Sequence, residues 1–392
     1  MGEGMGYKLL HLADLHLDSP LGWLGEREAR EIRRSEQREA LKRALSLAEE
    51  RGAHAVLIAG DLFEQRNFTL DTVDFLRSTF EGCPLPILVV AGNHDPLVEG
   101  SPYITHSWPA NVHIFGGDWE CVEPVGGLVV HGASHSGFSE SRRPLIGLKV
   151  PQDGAVHVVL LHGSYLGWRP SDPFSALPSF PLSRREMRGR GVHYFALGHY
   201  HAFRDLAEEG LPGCYPGSPE ALGIEEEGER FVVLAEVDRE RARIEPLAVN
   251  ARKALRVEVD CSGASNREEV MERLRGKVFS KELEGQMVEL VLVGEVEPEV
   301  EADPEGMEAV LREEVRREGR GPLFLRVRSR LSPRYDIEQL KKERTVRGEF
   351  VRLMLERIER AKERGDEEMS RRLWRAMLYG LDAFVRREVG RR

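Results

Sequence analysis

The amino-acid sequence predicts an α/β fold for residues 1–250 of this 392-residue chain. Short apolar runs rich in β-branched residues recur through this part, and most are followed by a polar turn that carries His, Asp or Asn. Between the first two runs, residues 26–51 place Leu41, Leu45 and other apolar side chains at helical spacing. A strand, a helix and a second strand in this order are typical of an α/β domain.

The apolar runs have the length of strands, and we interpret each one as a buried strand. In chain order, the predicted strands cover residues 7–13, 55–59, 86–91, 127–131, 156–161, 193–197, 230–237 and 242–247. The last two strands complete the first domain near residue 250.

Two further segments are predicted after this domain. Residues 251–332 predict a small α+β domain, with strands at 254–260, 287–296 and 323–331, helices at 267–278 and 304–317, and a Glu- and Pro-rich loop at 295–304. Residues 333–392 predict a C-terminal helical hairpin, because two apolar stripes recur there at helical spacing. The stripes consist of Val346, Phe350, Met354 and Ile358, and of Met369, Leu373, Met377, Leu381 and Phe384.

Composition argues against several classes of protein. The net charge of -10 argues against a uniformly basic nucleic-acid binder, so any contact with DNA is expected to be local. No apolar run reaches the ~18 residues of a membrane span, and a signal peptide is not indicated, so a cytoplasmic location is expected. The four cysteines are far apart and form no C-x-x-C pair, which argues against a disulfide or zinc framework.

Possible metal ligands follow the first three predicted strands. Asp14 and His16 come directly after the first strand in L-A-D-L-H, and Asp61 follows the second in A-G-D-L. Asn93, His94 and Asp95 follow the third strand in G-N-H-D-P. Each motif alone has an ordinary alternative, because Asp, Asn and Gly are common turn residues.

Two later strands end in the same way. His162 closes the run V-V-L-L-H, and His199 and His201 follow the next strand in G-H-Y-H. A single histidine at a strand end is usually structural. Here the repetition favours a metal site, because α/β sheets place their sites at the carboxyl ends of the strands.

The expected donors are oxygen and imidazole nitrogen without thiolate, a set that suits Mn, Fe or Zn. A bridging Asp61 would hold two cations about 3.5 to 4 Å apart, a spacing at which a metal pair can activate water and bind a phosphoryl oxygen. The chemistry indicated is metal-assisted hydrolysis.

The ordered motifs D-L-H, G-D-L-F, G-N-H-D, L-H-G and G-H-Y-H resemble those of the calcineurin-like metallophosphoesterases over residues 7–250. The resemblance implies a β-sandwich flanked by helices and two divalent cations, with Mn²⁺ as the first expectation. It implies one metal held by Asp14, His16, Asp61 and His201, and a second held by Asp61, Asn93, His162 and His199. It also implies that His94 is catalytic and stabilises or protonates the leaving oxygen. Asp95 is expected either to orient His94 or to serve as a helix-capping or turn residue.

Within that superfamily, the chain is similar to the SbcD-type DNA repair nucleases, including their YhaO-like relatives. The similarity is carried by D-L-H-L-D-S-P, G-D-L-F-E and Y-P-G-S-P, together with the order of core, small domain and helices. It implies a DNA exonuclease, with endonuclease activity as a further option. It also implies a 251–332 domain that caps the DNA path, and 333–392 helices that bind an SbcC-type coiled-coil ABC ATPase. Dimers are common in the family, so a homodimer is expected.

Two alternatives remain open on the sequence alone. The same metal cluster would serve a phosphatase or a small-molecule phosphodiesterase, and an inactive scaffolding subunit is a third reading.

Some relatives carry a histidine three residues after the bridging aspartate, where this chain has Glu64. His131 and His135 are interpreted as structural, because the other residues already fill two metal sites.

Overall fold

The computed structural model describes residues 6–168, 179–298, 300 and 303–386. It divides into two compact units, Met1–Leu255 and Arg256–Arg392. The division into three domains, at residues 1–250, 251–332 and 333–392, stays a prediction. Among the described residues, no helix has the length and apolar character that a membrane span requires.

The first unit contains the expected strands in the expected order. In chain order its main strands are β1 (Tyr7–Leu12), β2 (Ala55–Ala59), β3 (Ile87–Val90), β4 (Val112–Ile114), β5 (Glu120–Val125), β6 (Leu128–Ala133), β7 (Val156–His162), β8 (Tyr194–Gly198), β9 (Arg204–Asp205), β10 (Gly213–Tyr215), β11 (Phe231–Val237) and β12 (Ala242–Ala248). Its helices are α1 (Arg27–Glu50), α2 (Leu70–Glu81) and the short α3 (Pro102–Thr105) and α4 (Arg184–Met187).

These strands form two six-stranded sheets, ordered β12-β11-β1-β2-β3-β4 and β5-β6-β7-β8-β10-β9. Strands β1 to β4 are parallel, and so are β6, β7 and β8. The carboxyl ends of the parallel strands in each sheet therefore meet at one edge of that sheet.

The two sheets enclose an apolar core between them. The alternating direction of the side chains along each strand accounts for this core. Leu9 and Leu57 pack with Val158 and Leu160 between the sheets. Their neighbour Leu10 belongs to a second cluster, with side chains of α1 and α2 such as Leu41, Leu45, Leu76 and Phe80. Successive side chains of a strand point to opposite faces, so one face meets the other sheet and the other face meets the helices. The predicted α/β sandwich flanked by helices is confirmed.

Four strands of the sandwich are not predicted from the sequence: β4, β5 and the short strands β9 and β10. β4 and β5 lie at sheet edges, and none of their residues is fully buried. An edge strand needs fewer apolar side chains, so it lacks the pattern by which the central strands are recognised.

The second unit begins with an α+β arrangement. The strands β13 (Ala254–Asp260), β14 (Met287–Val293) and β16 (Phe324–Ser329) form a sheet in the order β13-β14-β16, and β15 (Glu295–Val296) pairs with β17 (Ser332–Pro333). Helices α5 (Arg267–Val278) and α6 (Pro304–Glu318) bury one apolar stripe each. The predicted loop 295–304 begins as β15, and its residues 299, 301 and 302 lie outside the described part of the chain.

The unit ends in the helices α7 (Ile337–Lys342), α8 (Val346–Glu363) and α9 (Glu367–Arg386). Both predicted stripes contribute to one small core that contains Met354, Ile358, Met377 and Leu381. The predicted helical hairpin is thus present, and much of each stripe is used within it. Val346, Met369 and Phe384, at the ends of the stripes, remain exposed.

Candidate metal centre

The structure brings all the predicted ligands together at the carboxyl edge of the sandwich. Asp14 and His16 follow β1, Asp61 follows β2, and Asn93 follows β3. From the second sheet, His162 is the last residue of β7, and His199 and His201 follow β8. Apart from the partly buried Asn93, these side chains belong to buried residues. Residues from five strand ends thus converge although they are far apart in the chain.

Several of these residues have an unusual backbone conformation. Asp14, His16, Asp61 and His199 have φ angles of 54°, 48°, 52° and 109°. Residues other than glycine seldom adopt positive φ, and such strain is typically stored at functional sites. The turns at the strand ends aim these side chains into the centre at an energetic cost.

Glycines let the strand ends approach one another at this edge. A Cβ atom at Gly198 would lie 1.9 Å from the carbonyl oxygen of Ala59, and one at Gly92 would lie 2.2 Å from Oδ1 of Asp61. No other residue fits at either position without displacing backbone or a candidate ligand.

The first candidate group consists of Asp14, His16 and His201, whose possible ligand atoms lie within 4.8 Å of one another. Nε2 of His16 lies 3.5 Å from Oδ2 of Asp61. Both oxygens of Asp14 also accept hydrogen bonds from the backbone N–H of His199, at 3.0 and 3.1 Å. This set agrees with the first metal site implied by the family resemblance.

The second candidate group surrounds Asn93. Its Oδ1 lies 3.1 Å from Nε2 of His162 and 3.1 Å from Nδ1 of His199. Nε2 of His162 also lies 3.3 Å from Oδ2 of Asp61. One oxygen of Asp61 is therefore close to His16 of the first group and to His162 of the second, the position required of a bridging ligand.

The donor set fits a pair of divalent cations. Nε2 of His16 is fully buried and has no hydrogen-bond partner among the residues that the structure describes. A buried ring nitrogen without a partner is costly unless another group, such as a cation, satisfies it. Two bound cations would supply Lewis-acid activation of water and of the phosphoryl group.

Glu64 and His94 lie beside these groups. Oε1 of Glu64 is 2.8 Å from Nδ1 of His16, and Oε2 is 3.1 Å from Nδ1 of His94. Burial alone would lower the pKa of His94, but the charge of Asp61 and the hydrogen bond to Glu64 outweigh it and raise that pKa to about 10. The two carboxylates thus favour the protonated ring, the form that can donate a proton to a leaving oxygen.

Asp95 corrects one expectation from the sequence, which predicts it as the group that orients His94. Its carboxylate instead accepts hydrogen bonds from the backbone N–H groups of Asp61, Leu62 and Gly92 and from the hydroxyl of Tyr103. These three N–H donors belong to the turns after β2 and β3, so the carboxylate of Asp95 is bound to those turns. The carboxylate within hydrogen-bond distance of the His94 ring is that of Glu64.

Residues 7–203 match the family model described as calcineurin-like phosphoesterase. The chain belongs to the calcineurin-like phosphoesterase family. Members of this family are metal-dependent phosphoester hydrolases with a dinuclear centre, which agrees with the two groups that share Asp61.

The curated proteins similar to this phosphoesterase include one from Bacillus subtilis and one from Aeropyrum pernix. The uncharacterized metallophosphoesterase YhaO of Bacillus subtilis (strain 168) is 32% identical over 242 residues, which are 58% of this chain and 57% of YhaO. The DNA double-strand break repair protein Mre11 of Aeropyrum pernix is 26% identical over 279 residues, which are 64% of this chain and 63% of that protein. Each match thus spans less than two thirds of the relative. Among solved structures, a dimetal phosphatase from Danio rerio aligns at 13% identity with a TM-score of 0.38, covering 62% of this chain and 98% of that one.

The phosphoesterase also contains a supporting residue that the sequence does not reveal. Oε1 of the buried Glu226 lies 2.9 Å from Nδ1 of His201. Its Oε2 accepts hydrogen bonds from Ser218 at 2.9 Å and from the backbone N–H of Leu222 at 3.1 Å, and Arg230 lies 3.4 Å away. A carboxylate behind a metal-binding histidine fixes its tautomer and orientation. The only sequence signal is the acidic run 225–227, which does not distinguish the buried residue from its neighbours.

His131 and His135, which the sequence predicts to be structural, occupy buried positions outside the candidate groups. His131 lies 3.0 Å from Nδ1 of His157, and His135 stacks on Phe180 with ring centroids 3.8 Å apart. Nε2 of His135 also lies 2.9 Å from the carbonyl oxygen of His162. These contacts are those of packed core residues, as the sequence predicts.

Proposed function

We propose that this phosphoesterase is a two-metal-dependent nuclease that hydrolyses phosphodiester bonds in DNA, with Mn²⁺ as its cofactor. The observation that carries the proposal is the convergence of two donor groups on Asp61, with the proton donor His94 beside them. The similarity to an Mre11 repair protein supports DNA as the substrate. That similarity extends over more residues than the family model, which ends at residue 203.

In this proposal, the residues of the chain have separate tasks. Asp14, His16, Asp61 and His201 would hold one cation, and Asp61, Asn93, His162 and His199 the other. His94 would donate its proton to the oxygen that leaves the phosphorus. Glu64 would hold the His94 ring and maintain its charge, because the carboxylate accepts from Nδ1.

The test is an incubation of the purified chain with Mn²⁺ and end-labelled linear DNA, both duplex and single-stranded. A small chromogenic phosphodiester and a phosphomonoester are assayed in parallel. We expect metal-dependent release of nucleotides from DNA, and a loss of roughly 10²- to 10⁴-fold in His94→Ala, the range of general acid catalysis. None of the histidines is fully exposed, so the control is replacement of the partly buried His106 by alanine. His106→Ala should retain activity.

Other outcomes would overturn the proposal. Hydrolysis of the small diester without cleavage of DNA would indicate a small-molecule phosphodiesterase. Preference for the monoester would indicate a phosphatase. Complete inactivity of a chain that has bound metal would favour a scaffolding subunit.

We also propose that the C-terminal helices bind an SbcC-type coiled-coil ABC ATPase, and that the protein acts as a homodimer. Along α8 and α9, Leu353, Met369, Trp374, Tyr379 and Phe384 are large apolar or aromatic residues that remain exposed. Exposed apolar side chains on helices are suited to a helix-in-groove contact. Co-elution with a purified ATPase of this type, lost in Trp374→Glu, would support the proposal. Independent elution of the two wild-type proteins would contradict it.

A further inference from the structure

Beside the candidate metal centre, an exposed aromatic ring is paired with a guanidinium group. The side chain of Phe138 is 41% exposed. The guanidinium carbon of Arg66 lies 5.0 Å from the centroid of the Phe138 ring, a cation–π arrangement. Arg66 is itself exposed. Two loops that are far apart in the sequence thus present a joint surface to solvent.

Both loops are attached to the candidate centre. Arg66 comes two residues after Glu64, and the backbone N–H of Gln65 donates to the carbonyl oxygen of His94 at 2.9 Å. Phe138 comes three residues after His135, whose ring centroid lies 5.7 Å from that of His162. The pair is therefore held next to the residues that would perform the chemistry.

The loop that carries Phe138 is fixed at its base. Glu140 accepts a hydrogen bond from the backbone N–H of Ser136, and its Oε2 accepts from Nε of Arg142 at 2.8 Å. The carbonyl oxygen of Glu140 accepts from the N–H of Phe180 at 2.9 Å. A ring presented by such a constrained loop loses little conformational freedom when it binds a ligand.

The charges around the pair leave Arg66 available for an anion. Glu64 is engaged by His16 and His94, and Glu140 is engaged by Arg142. Within the described parts of the chain, Arg66 forms no ion pair with a carboxylate. Its N–H groups can therefore donate to a phosphate oxygen.

We propose that Phe138 and Arg66 form a subsite for one nucleotide of the DNA substrate, next to the scissile phosphate. The base of an unpaired nucleotide stacks on the exposed part of the Phe138 ring, and Arg66 pairs with the adjoining phosphate. A stacking platform with a cationic partner accepts any base, because every base has a π face. This inference rests on the proposed DNA nuclease function, and it assigns single-stranded or frayed ends as the preferred substrate.

The test compares wild type with Phe138→Ala and Phe138→Trp on a labelled single-stranded oligonucleotide and on a small chromogenic phosphodiester. In Phe138→Ala, kcat/KM for the oligonucleotide should fall roughly 5- to 100-fold, the range expected for one lost stacked base. The loss should be much smaller on the small ester, which has no base to stack. Phe138→Trp keeps an aromatic ring at this position, so it should cleave the oligonucleotide much better than Phe138→Ala does. Ile146→Ala, which removes another exposed apolar side chain of this unit, should behave as wild type on both substrates.

A binding measurement separates stacking from folding defects. Phe138→Trp places an indole at the subsite, and its fluorescence should be quenched when the uncleaved oligonucleotide binds in metal-free buffer. Arg66→Ala should weaken this binding, and the weakening should diminish at high salt.

Two results would overturn the inference in distinguishable ways. If wild type cleaves DNA and Phe138→Ala cleaves it equally well, the subsite is refuted and the nuclease function stands. If wild type hydrolyses only the small ester, the nuclease function fails, and the subsite fails with it.

Discussion

Oε2 of Glu64 lies 3.1 Å from Nδ1 of His94, and the other oxygen of the same carboxylate lies 2.8 Å from Nδ1 of His16. One side chain thus connects a candidate metal ligand to the proposed proton donor. Because burial of the carboxylate is outweighed by its hydrogen bonds to the two histidines, the pKa of Glu64 is lowered to about 2. Between about pH 2 and pH 10 an ionised Glu64 therefore faces a protonated His94.

Replacement of Glu64 by glutamine should lower kcat roughly 10- to 100-fold, as for other residues that orient a functional histidine. It should also move the alkaline limb of the pH profile to lower pH. The charge of Glu64 helps to raise the pKa of His94, so activity is present below that pKa and is lost as pH rises through it. Without the charge, the loss begins at a lower pH. Profiles of kcat against pH for both proteins measure this difference.

The exposed Glu99→Gln variant is the control for Glu64→Gln, and its profile should coincide with that of wild type. An unchanged alkaline limb in Glu64→Gln would show that this carboxylate does not set the charge of His94.

Replacement of Asp61 by asparagine should remove the ligand that both cations share. Wild type should be stabilised by Mn²⁺, by about 2.7 kcal/mol at a concentration of one hundred times Kd. Most of that gain should be lost in Asp61→Asn, while the hydrogen bond from the N–H of His94 to this side chain can be kept. Melting temperatures with and without Mn²⁺, together with the metal content, measure the effect.

Asp74→Asn on the exposed side of α2 is a matched control that should keep the full Mn²⁺ response. Retention of two metals per chain in Asp61→Asn would contradict a bridging role for Asp61.

Truncation of Glu226 to alanine should lower the free energy of unfolding by about 3 to 5 kcal/mol, because the buried charge of Arg230 would lose its carboxylate partner. It should also weaken metal binding roughly 10- to 100-fold, since His201 loses the group that orients it. Chemical denaturation measures the first effect and metal titration the second. The neighbouring Glu225 is exposed, so Glu225→Ala should change neither quantity.

His11 should make the protein sensitive to acid. Burial lowers its pKa to about 3, although a hydrogen bond to the carbonyl oxygen of Leu197 acts in the opposite direction. The unfolded chain takes up a proton near the ordinary pKa of 6.5, whereas the folded protein does not, so stability falls as pH decreases below 6.5. Between pH 7.5 and 4.5 this single residue should cost about 2 to 3 kcal/mol.

His11→Gln keeps a donor for Leu197 and has no titrating ring, so its stability should depend less on pH over that interval. Urea denaturation at both pH values, with a chelator to remove linked metal release, measures the difference. Equal pH dependence in the two proteins would show that His11 is not buried in its neutral form.

The sequence predicts the central strands and the convergence of the ligands for a common reason. Apolar runs with polar turn residues mark buried parallel strands, and the carboxyl ends of such strands meet, so Asp14 and Asp61, which follow two neighbouring strands, could be placed near each other without coordinates. Their role as ligands stays a prediction. Glu226 and Glu64 could not be assigned in this way. Each lies in a loop, and its role depends on a hydrogen bond to a histidine that is distant in the sequence. A single amino-acid sequence does not show which acidic residue turns inward.

The positive φ angles of Asp14, His16, Asp61 and His199 imply that selection for stability and selection for activity oppose each other in this chain. The strain at each of these residues would be relieved by glycine or by another backbone conformation. A glycine at such a position should raise the free energy of unfolding by about 1 kcal/mol. A library of variants screened only for heat resistance would therefore accumulate changes at these turns and lose catalysis. Thermal engineering of this enzyme should leave the four positions untouched and seek its gains in the outer helices.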